Sequence, residues 1–250
     1  MSVHPQASVF EDVAGEYERA RPGYPRTILD WLGSRGQLHA GSTVIDLGAG
    51  TGKLTRVLIE SGASVIAIEP LAAMREEFQR ILPDVELLDA TAESIPLADG
   101  LADLVTCGQS IHWFAHDAAL EEIARVLRNG GELVIATNGY DHANPIHQRL
   151  TEIRREAEAE ASEKTPGGNW REVIGANAHF ELIGEVVLRN EHFVDREGVF
   201  ARVKSSSPFA RLPAARQHEL LAGLESLIDT DIVDLSQLTT VVAYRKVEPS

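Results

Sequence analysis

Between Thr43 and Asn138, short apolar runs of strand length alternate with amphipathic runs of helix length. "TVIDLG" and "SVIAIE" read as two buried strands, "DVELLDA" and "DLVTCGQ" as a third and fourth, and "ELVIATN" as a fifth. In the segments between, "GKLTRVLIESG" sets Leu54, Val57 and Leu58 on one helical face. "AAMREEFQRIL" reads as helical up to Pro83. "DAALEEIARVL" is a helix with Asp117 as its N-cap, and "RNGG" a turn leading into the fifth strand. Such alternation predicts parallel βαβ units with helices on both faces of one sheet. Right-handed crossovers then bring the strand C-termini to a single edge, where ligands bind.

The flanks have a different pattern. Residues 8–40 are amphipathic and helical in period, interrupted at "RPGYP". Residues 145–164 form a polar, Ala/Glu-rich helical pattern, and "TPGGN" at 165–169 reads as a loop. "FELIGEVVLRNEHFV" alternates like a strand. "VFARVKSSSPFARLP" and "AARQHELLAGLESLI" read as helices around a Ser/Pro break, and "LTTVVAYRKV" as a closing strand. The two late strands are expected to pair as an antiparallel edge of the same sheet.

The chain has 250 residues, of which 44% are hydrophobic, which suits one large domain with a substantial core. No run approaches the length of a membrane span, and "MSVHPQASVFEDVAGEYERA" lacks the basic and apolar regions of a secretory signal. Cys107 is the single cysteine, which excludes an intramolecular disulfide, so a cytoplasmic location is expected. The net charge of -15, from 23 basic against 38 acidic residues, disfavours nucleic acid as a partner and is explained by solubility. Neither a membrane partner nor a metal cluster is expected; the sequence leaves the oligomeric state open.

The chemistry begins at "VIDLGAGTGKL", residues 44–54. A glycine turn between strand and helix lets backbone approach a ligand and aims helix N–H groups at it. Dinucleotide folds space the third glycine three residues after the second. Here Gly52 follows Gly50 by two, which departs from that pattern. The next strand ends in Glu69, 17 residues after Gly52, where a carboxylate can accept hydrogen bonds from both hydroxyls of a ribose. The alternative for Glu69 is a solvated loop acid. Asp46 lies inside the first strand, where a charge is costly unless it orders the loop or meets a ligand's ammonium group.

With these features in place, the chain resembles the class I S-adenosylmethionine-dependent methyltransferases of the small-molecule, type 11 kind. The matching blocks are "VIDLGAGTGKLT", "VIAIEP", "DATAESIPLADGLADLVTCGQSIHWF" and "ALEEIARVLRNGGELVIA", and the leader "VAGEYERARPGYP" matches a subgroup that carries "QSIHWF". The resemblance implies an α/β, Rossmann-like, doubly wound seven-stranded sheet of order 3-2-1-4-5-7-6, with strand 7 antiparallel. An N-terminal helical lid and a small helical insertion are implied as well. Residues 1–250 then form one domain: a lid at 1–40, a cofactor-binding core at 41–139, and substrate-side helices and closing strands at 140–250. By the same resemblance, Asp46, Gly48, Ala49 and Gly50 line the methionine part of S-adenosylmethionine. Glu69 takes the ribose and Pro70 packs near the adenine. Thr91 stands where many relatives have an aspartate on the adenine amino group, with the Ala92 N–H facing the ring. Gln109 lies near the methionine end. In relatives the leader folds over the cofactor, so Tyr17 and Arg21 are expected at its carboxylate; Arg21 has the bidentate fork for that.

The cofactor carries its own activated methyl group, so the protein has to exclude water, align the nucleophile and in some cases remove a proton. His112, at the end of the fourth strand, is the candidate general base, with a pKa near working pH. Its alternative is a packing role beside Trp113. For a carboxylate acceptor no base is required. Trp170, His179, Phe200, Arg202, Ser206 and Phe209 are candidates for the acceptor pocket. The expected function is methyl transfer to a small organic acceptor, releasing S-adenosylhomocysteine. The alternatives are a cofactor-binding relative that transfers no methyl group, such as a cyclase or binding module, and an NAD-dependent oxidoreductase.

Overall fold

The computed structural model describes residues 21–160 and 169–248. Its elements run α1 (Thr27–Ser34), β1 (Thr43–Leu47), α2 (Thr55–Leu58), β2 (Ser64–Ile68), α3 (Ala72–Ile81), β3 (Glu86–Leu88), β4 (Ala102–Gly108), α4 (Asp117–Val126) and β5 (Leu127–Gly139). They continue with α5 (Pro145–Glu160), α6 (Trp170–Ala176), β6 (Phe180–Asn190), β7 (Phe193–Asp195), α7 (Arg196–Lys204), α8 (Ser207–Ala210), α9 (Ala214–Glu225), β8 (Ile232–Asp234) and β9 (Gln237–Lys246).

Seven strands form one sheet in the order β3-β2-β1-β4-β5-β9-β6. β1 pairs in parallel with β2 and β4, β2 with β3, and β4 with β5. β9 runs antiparallel to both β5 and β6 and so fills the role of the reversed seventh strand. This is the doubly wound arrangement that the resemblance implies. Alternate residues of the strands feed two cores. Val44, Leu104, Val134 and Val241 pack with Ile28 and Leu32 of α1 and with Val57 and Leu58 of α2. Ile45, Leu47, Val105, Leu133 and Ile135 pack with Leu120 and Ile123 of α4 and Ile174 of α6. With both faces covered, the central strands carry near-continuous apolar runs. A third core joins Leu150 and Ile153 of α5 to Val199 and Val203 of α7, Phe209 of α8 and Leu220 and Leu224 of α9.

Three local features differ from expectation. "RNGG" is not a separate turn but a bulge inside β5. Leu127 pairs with Ala102 and Glu132 with Leu104, so residues 128–131 stand opposite Asp103 alone, and Gly130 supplies the left-handed backbone (φ 72°). Asp117 is not the N-cap of α4: the extended residue there is His116, and Asp117 occupies the first helical turn without a capping hydrogen bond. There its charge still suits the helix dipole. Finally, β7 and β8 pair as a separate two-stranded ribbon on which α7 begins. Three-residue strands carry too little periodicity to stand out from loop.

Candidate active site

The C-terminal ends of β1, β2, β4 and β5 open into a cavity of about 630 Å³, roofed by residues of α5, α7 and α8. The glycine turn forms its floor. Gly48 (φ 69°) and Gly50 (φ 58°) both need left-handed backbone. A Cβ on Gly48 would stand 2.6 Å from the Ser110 Cβ, whereas one on Gly50 would meet nothing within 4 Å. The first glycine therefore lets the β1 and β4 loops close together, and the second leaves backbone open to a ligand. Ser110 fixes the closure by donating from Oγ to the Leu47 carbonyl at 2.7 Å.

Two buried carboxylates hold this turn. Glu69 is 5% exposed, which rules out a solvated loop acid. Its Oε2 accepts from the Gly50 amide and its Oε1 from the Leu71 amide, each at 2.9 Å. Burial pushes its pKa up, against the two amides and the Arg75 charge. Each oxygen keeps a second lone pair, so the carboxylate can accept from a ligand as well. Asp46 is fully buried and accepts from the hydroxyls of Thr55 at 2.6 Å and Thr106 at 3.0 Å. Burial pushes its pKa up to about 6, with the two hydroxyls opposing. Asp46 thus ties β1 to β4 and to the first residue of α2.

Ala49, Pro70, Thr91, Ala92, Gln109 and Arg21 also line the cavity, so the fold gathers these separated segments around one space. Tyr17 lies outside the described residues. Gln109 has left-handed backbone (φ 57°), rare for a side chain with a Cβ. Its amide donates to the Ala136 carbonyl at 3.0 Å and its Nε2 to the Asn138 carbonyl at 2.8 Å. Strain held in place this way is common at functional sites.

His112 sits in a short 3-10 turn, Ile111–Trp113, with its ring 4.9 Å from that of Trp113. Burial, followed by the charge of Arg154, pushes its pKa down to about 4 rather than near working pH. The expectation of a base tuned to neutrality is corrected on that point. At neutral pH the ring is uncharged, and its conjugate acid is too strong for efficient removal of a hydroxyl proton. The proximity of Arg154 on α5 is a tertiary effect that the "QSIHWF" stretch does not encode.

The methyltransferase domain model matches residues 45–135, the segment that contains the glycine turn, Glu69 and the His112 turn. An uncharacterized methyltransferase of Schizosaccharomyces pombe is 32% identical over 251 residues, spanning 95% of this chain and 97% of that protein. The chain belongs to the class I S-adenosylmethionine-dependent methyltransferase family. Among solved structures, an Anaeromyxobacter dehalogenans protein ascribed to the type II methyltransferases superposes with a TM-score of 0.70 at 22% identity, covering 92% of this chain and 99% of that one. Geranyl diphosphate methyltransferase in complex with SAM superposes with a TM-score of 0.51 at 18% identity, covering 89% and 85%. At these identities the likeness is one of fold.

On this methyltransferase framework, Trp170, Arg202, Ser206 and Phe209 line the cavity. His179 and Phe200 do not. His179 lies before β6, where its carbonyl accepts from the Val247 amide, and Phe200 packs in the third core beneath the Arg196 guanidinium. Residue type alone makes both candidates, and it says nothing of facing. Tyr140, Arg154 and Gln237 line the cavity and were missed. Tyr140 follows directly after β5, so the strand-end rule that picked out Glu69 and Gln109 also points to it. Gln237 opens a reversed strand, and its first residue reaches the ligand edge only because β9 is antiparallel. No helix among the described residues is long and apolar enough to cross a membrane.

Proposed function

We propose that this protein transfers the methyl group of S-adenosylmethionine to a small organic acceptor. The observation that carries the proposal is the glycine turn held open to the cavity by Glu69: Gly50 presents unobstructed backbone while its amide is fixed on the carboxylate. Glu69 suits a ribose, and the glycine spacing, with Gly52 two residues after Gly50, departs from the pyrophosphate-binding pattern. A fold neighbour carrying SAM supports the same choice.

When bound, the cofactor's sulfonium supplies an already activated methyl group. The chain's own part is to bind and align. Glu69 accepts from the ribose hydroxyls, Asp46 keeps β1 and β4 in register, and Gly48 and Gly50 admit the amino-acid portion. Thr91, Ala92 and Pro70 border the adenine. Gln109 and Arg21 border the methionine end. Trp113 and the uncharged His112 wall the reacting region and exclude water. The expected lid at 1–40 is corrected for its described part: α1 packs on the sheet through Ile28 and Leu32, and only Arg21, Pro22 and Tyr24 border the cavity. In this reading 41–139 hold the cofactor and 140–250 shape the acceptor pocket.

Calorimetric titration with S-adenosylhomocysteine and with NAD tests the proposal. The expected result is micromolar binding of the former, about -8 kcal/mol, and none of the latter. Labelled-methyl transfer into a mixture of small metabolites then tests turnover. Binding without transfer would leave a cofactor-binding relative, and preference for NAD would overturn the assignment.

A further inference from the structure

Arg202, on α7, is only 9% exposed, yet its Nε and Nη1 are buried and have no hydrogen-bond partner. Among the described residues no acid forms an ion pair with it. Its guanidinium lies 5.5 Å from the centre of the Tyr140 ring, and both side chains line the cavity. Gln237, also in the cavity wall, is 2% exposed, with its Oε1 buried and unpartnered. A buried cation without an anion, in the wall of the same cavity as a buried acceptor without a donor, is a costly arrangement for a folded chain to keep. Elsewhere this protein pairs such a group: Arg35 places its Nε 3.0 Å from Glu132, itself 1% exposed.

The place of Arg202 in the fold separates it from the cofactor cradle. The glycine turn and Glu69 stand at the ends of β1 and β2. Tyr140 follows β5 and Gln237 begins β9, on the far side of β4 in the sheet order. Arg202, held 5.5 Å from the Tyr140 ring, therefore lies on the β5–β9 side of the cavity, away from Glu69. We propose that Arg202 seats a carboxylate of the methyl acceptor, with Gln237 receiving a hydrogen bond from a donor on the same molecule; this rests on the methyl-transfer function proposed above. A carboxylate fits better than a phosphate. One uncompensated guanidinium balances one negative charge, and planar N–H groups match a planar carboxylate. The bare oxygen of Gln237 would repel the further oxygens of a phosphate. Tyr140 supports the guanidinium from its ring face and keeps it from turning toward water.

The test uses the full chain saturated with S-adenosylhomocysteine, whose own titration reports separately on cofactor binding. Thermal melting is followed with propionate, succinate, benzoate and phenylacetate, each beside its neutral amide, up to about 10 mM, well above a millimolar Kd. At least one acid should raise the melting temperature while its amide does not. Arg202→Met should abolish that rise, and Arg202→Lys should restore part of it. In both variants the affinity for S-adenosylhomocysteine should stay within about threefold of the parent, a difference below 1 kcal/mol. Because Arg202→Met removes an uncompensated buried charge, it should itself raise the melting temperature by about 2–4 °C. Acids and amides acting alike, no acid acting on the parent, or an undiminished response in Arg202→Met would each overturn the proposal. A lower melting temperature in Arg202→Met would assign the guanidinium to the scaffold and overturn it as well. Loss of S-adenosylhomocysteine binding by the parent would instead count against the cofactor, and the acid–amide comparison would still be read on the unliganded chain.

Discussion

At the glycine turn, Asp46 and Glu69 are buried acids whose oxygens already accept from Thr55, Thr106, Gly50 and Leu71. Across the same cavity, Arg202 and Gln237 are buried polar side chains with atoms that meet no partner. The first region is a finished mould: its hydrogen bonds fix the backbone before any ligand arrives, so little reorganisation is left for binding. The second keeps polar atoms desolvated and unpaired, which destabilises the free protein and favours a ligand that fills them. Part of the cavity is thus shaped by satisfied bonds and part by missing ones.

The sharpest contrast is between the two arginines. Arg35→Met strips Glu132 of its ion-pair partner in a buried site, and chemical denaturation should register a loss of about 3–5 kcal/mol. Arg202→Met should move stability the other way. If both variants lost stability equally, the distinction between paired and waiting cations would fail.

Gly48→Ala attacks the mould directly. Its Cβ would stand 2.6 Å from that of Ser110 and demand left-handed backbone (φ 69°). Titration should show S-adenosylhomocysteine affinity lower by about 100-fold, near 3 kcal/mol. Gly50→Ala meets no protein atom within 4 Å, so it should disturb stability less than Gly48→Ala, while its Cβ, placed where the ligand meets the backbone, also lowers S-adenosylhomocysteine affinity.

Glu69→Ala removes the anchor of the Gly50 amide and the expected ribose acceptor together. The affinity for S-adenosylhomocysteine should fall by roughly 1–3 kcal/mol. Unchanged affinity would mean that the turn keeps its shape without the acid and that the ribose lies elsewhere.

The effect that is smallest at neutral pH concerns His112. In the folded chain it titrates at about 4 against 6.5 for an ordinary histidine, because burial and Arg154 disfavour its charged form. The unfolded chain therefore binds this proton first. The penalty is absent above pH 6.5 and grows as the pH falls toward 4. His112→Gln should flatten the loss of stability across that window. Asp46 runs in the opposite sense: burial raises it to about 6, so its contribution is present at low pH and lost as the pH rises through that value. Parent and variant must therefore be compared pH by pH. If His112→Gln instead removed an acidic limb near neutrality from the rate profile, the histidine would be titrating in the bound state and acting as a base.

The glycine-turn side of the cavity was legible because its signals are local. Gly48, Gly50 and Glu69 lie at strand ends, and a strand end marked by glycine or acid can be found by counting along the chain. The opposite wall of the cavity was read less well. Arg202, Trp170 and Phe209 were candidates alongside His179 and Phe200, and only facing separates them. The buried face of α7 keeps the helical spacing of Val199, Arg202 and Val203, but it carries a charge while Phe200 lies off it, so the apolar pattern alone does not mark it.

The sequence by itself determined the alternation of strands and helices, the ligand edge and the acidic, glycine-lined cradle, because periods of 2 and 3.6 and the backbone freedom of glycine are written residue by residue. Only the tertiary structure decided that Gln237 reaches the cavity, that burial and Arg154 push the His112 pKa down, and that Arg202 is buried without an anion among the described residues. Each of these depends on distance between segments far apart in the chain. Burial and charge coupling act through space, and no spacing along the chain carries them.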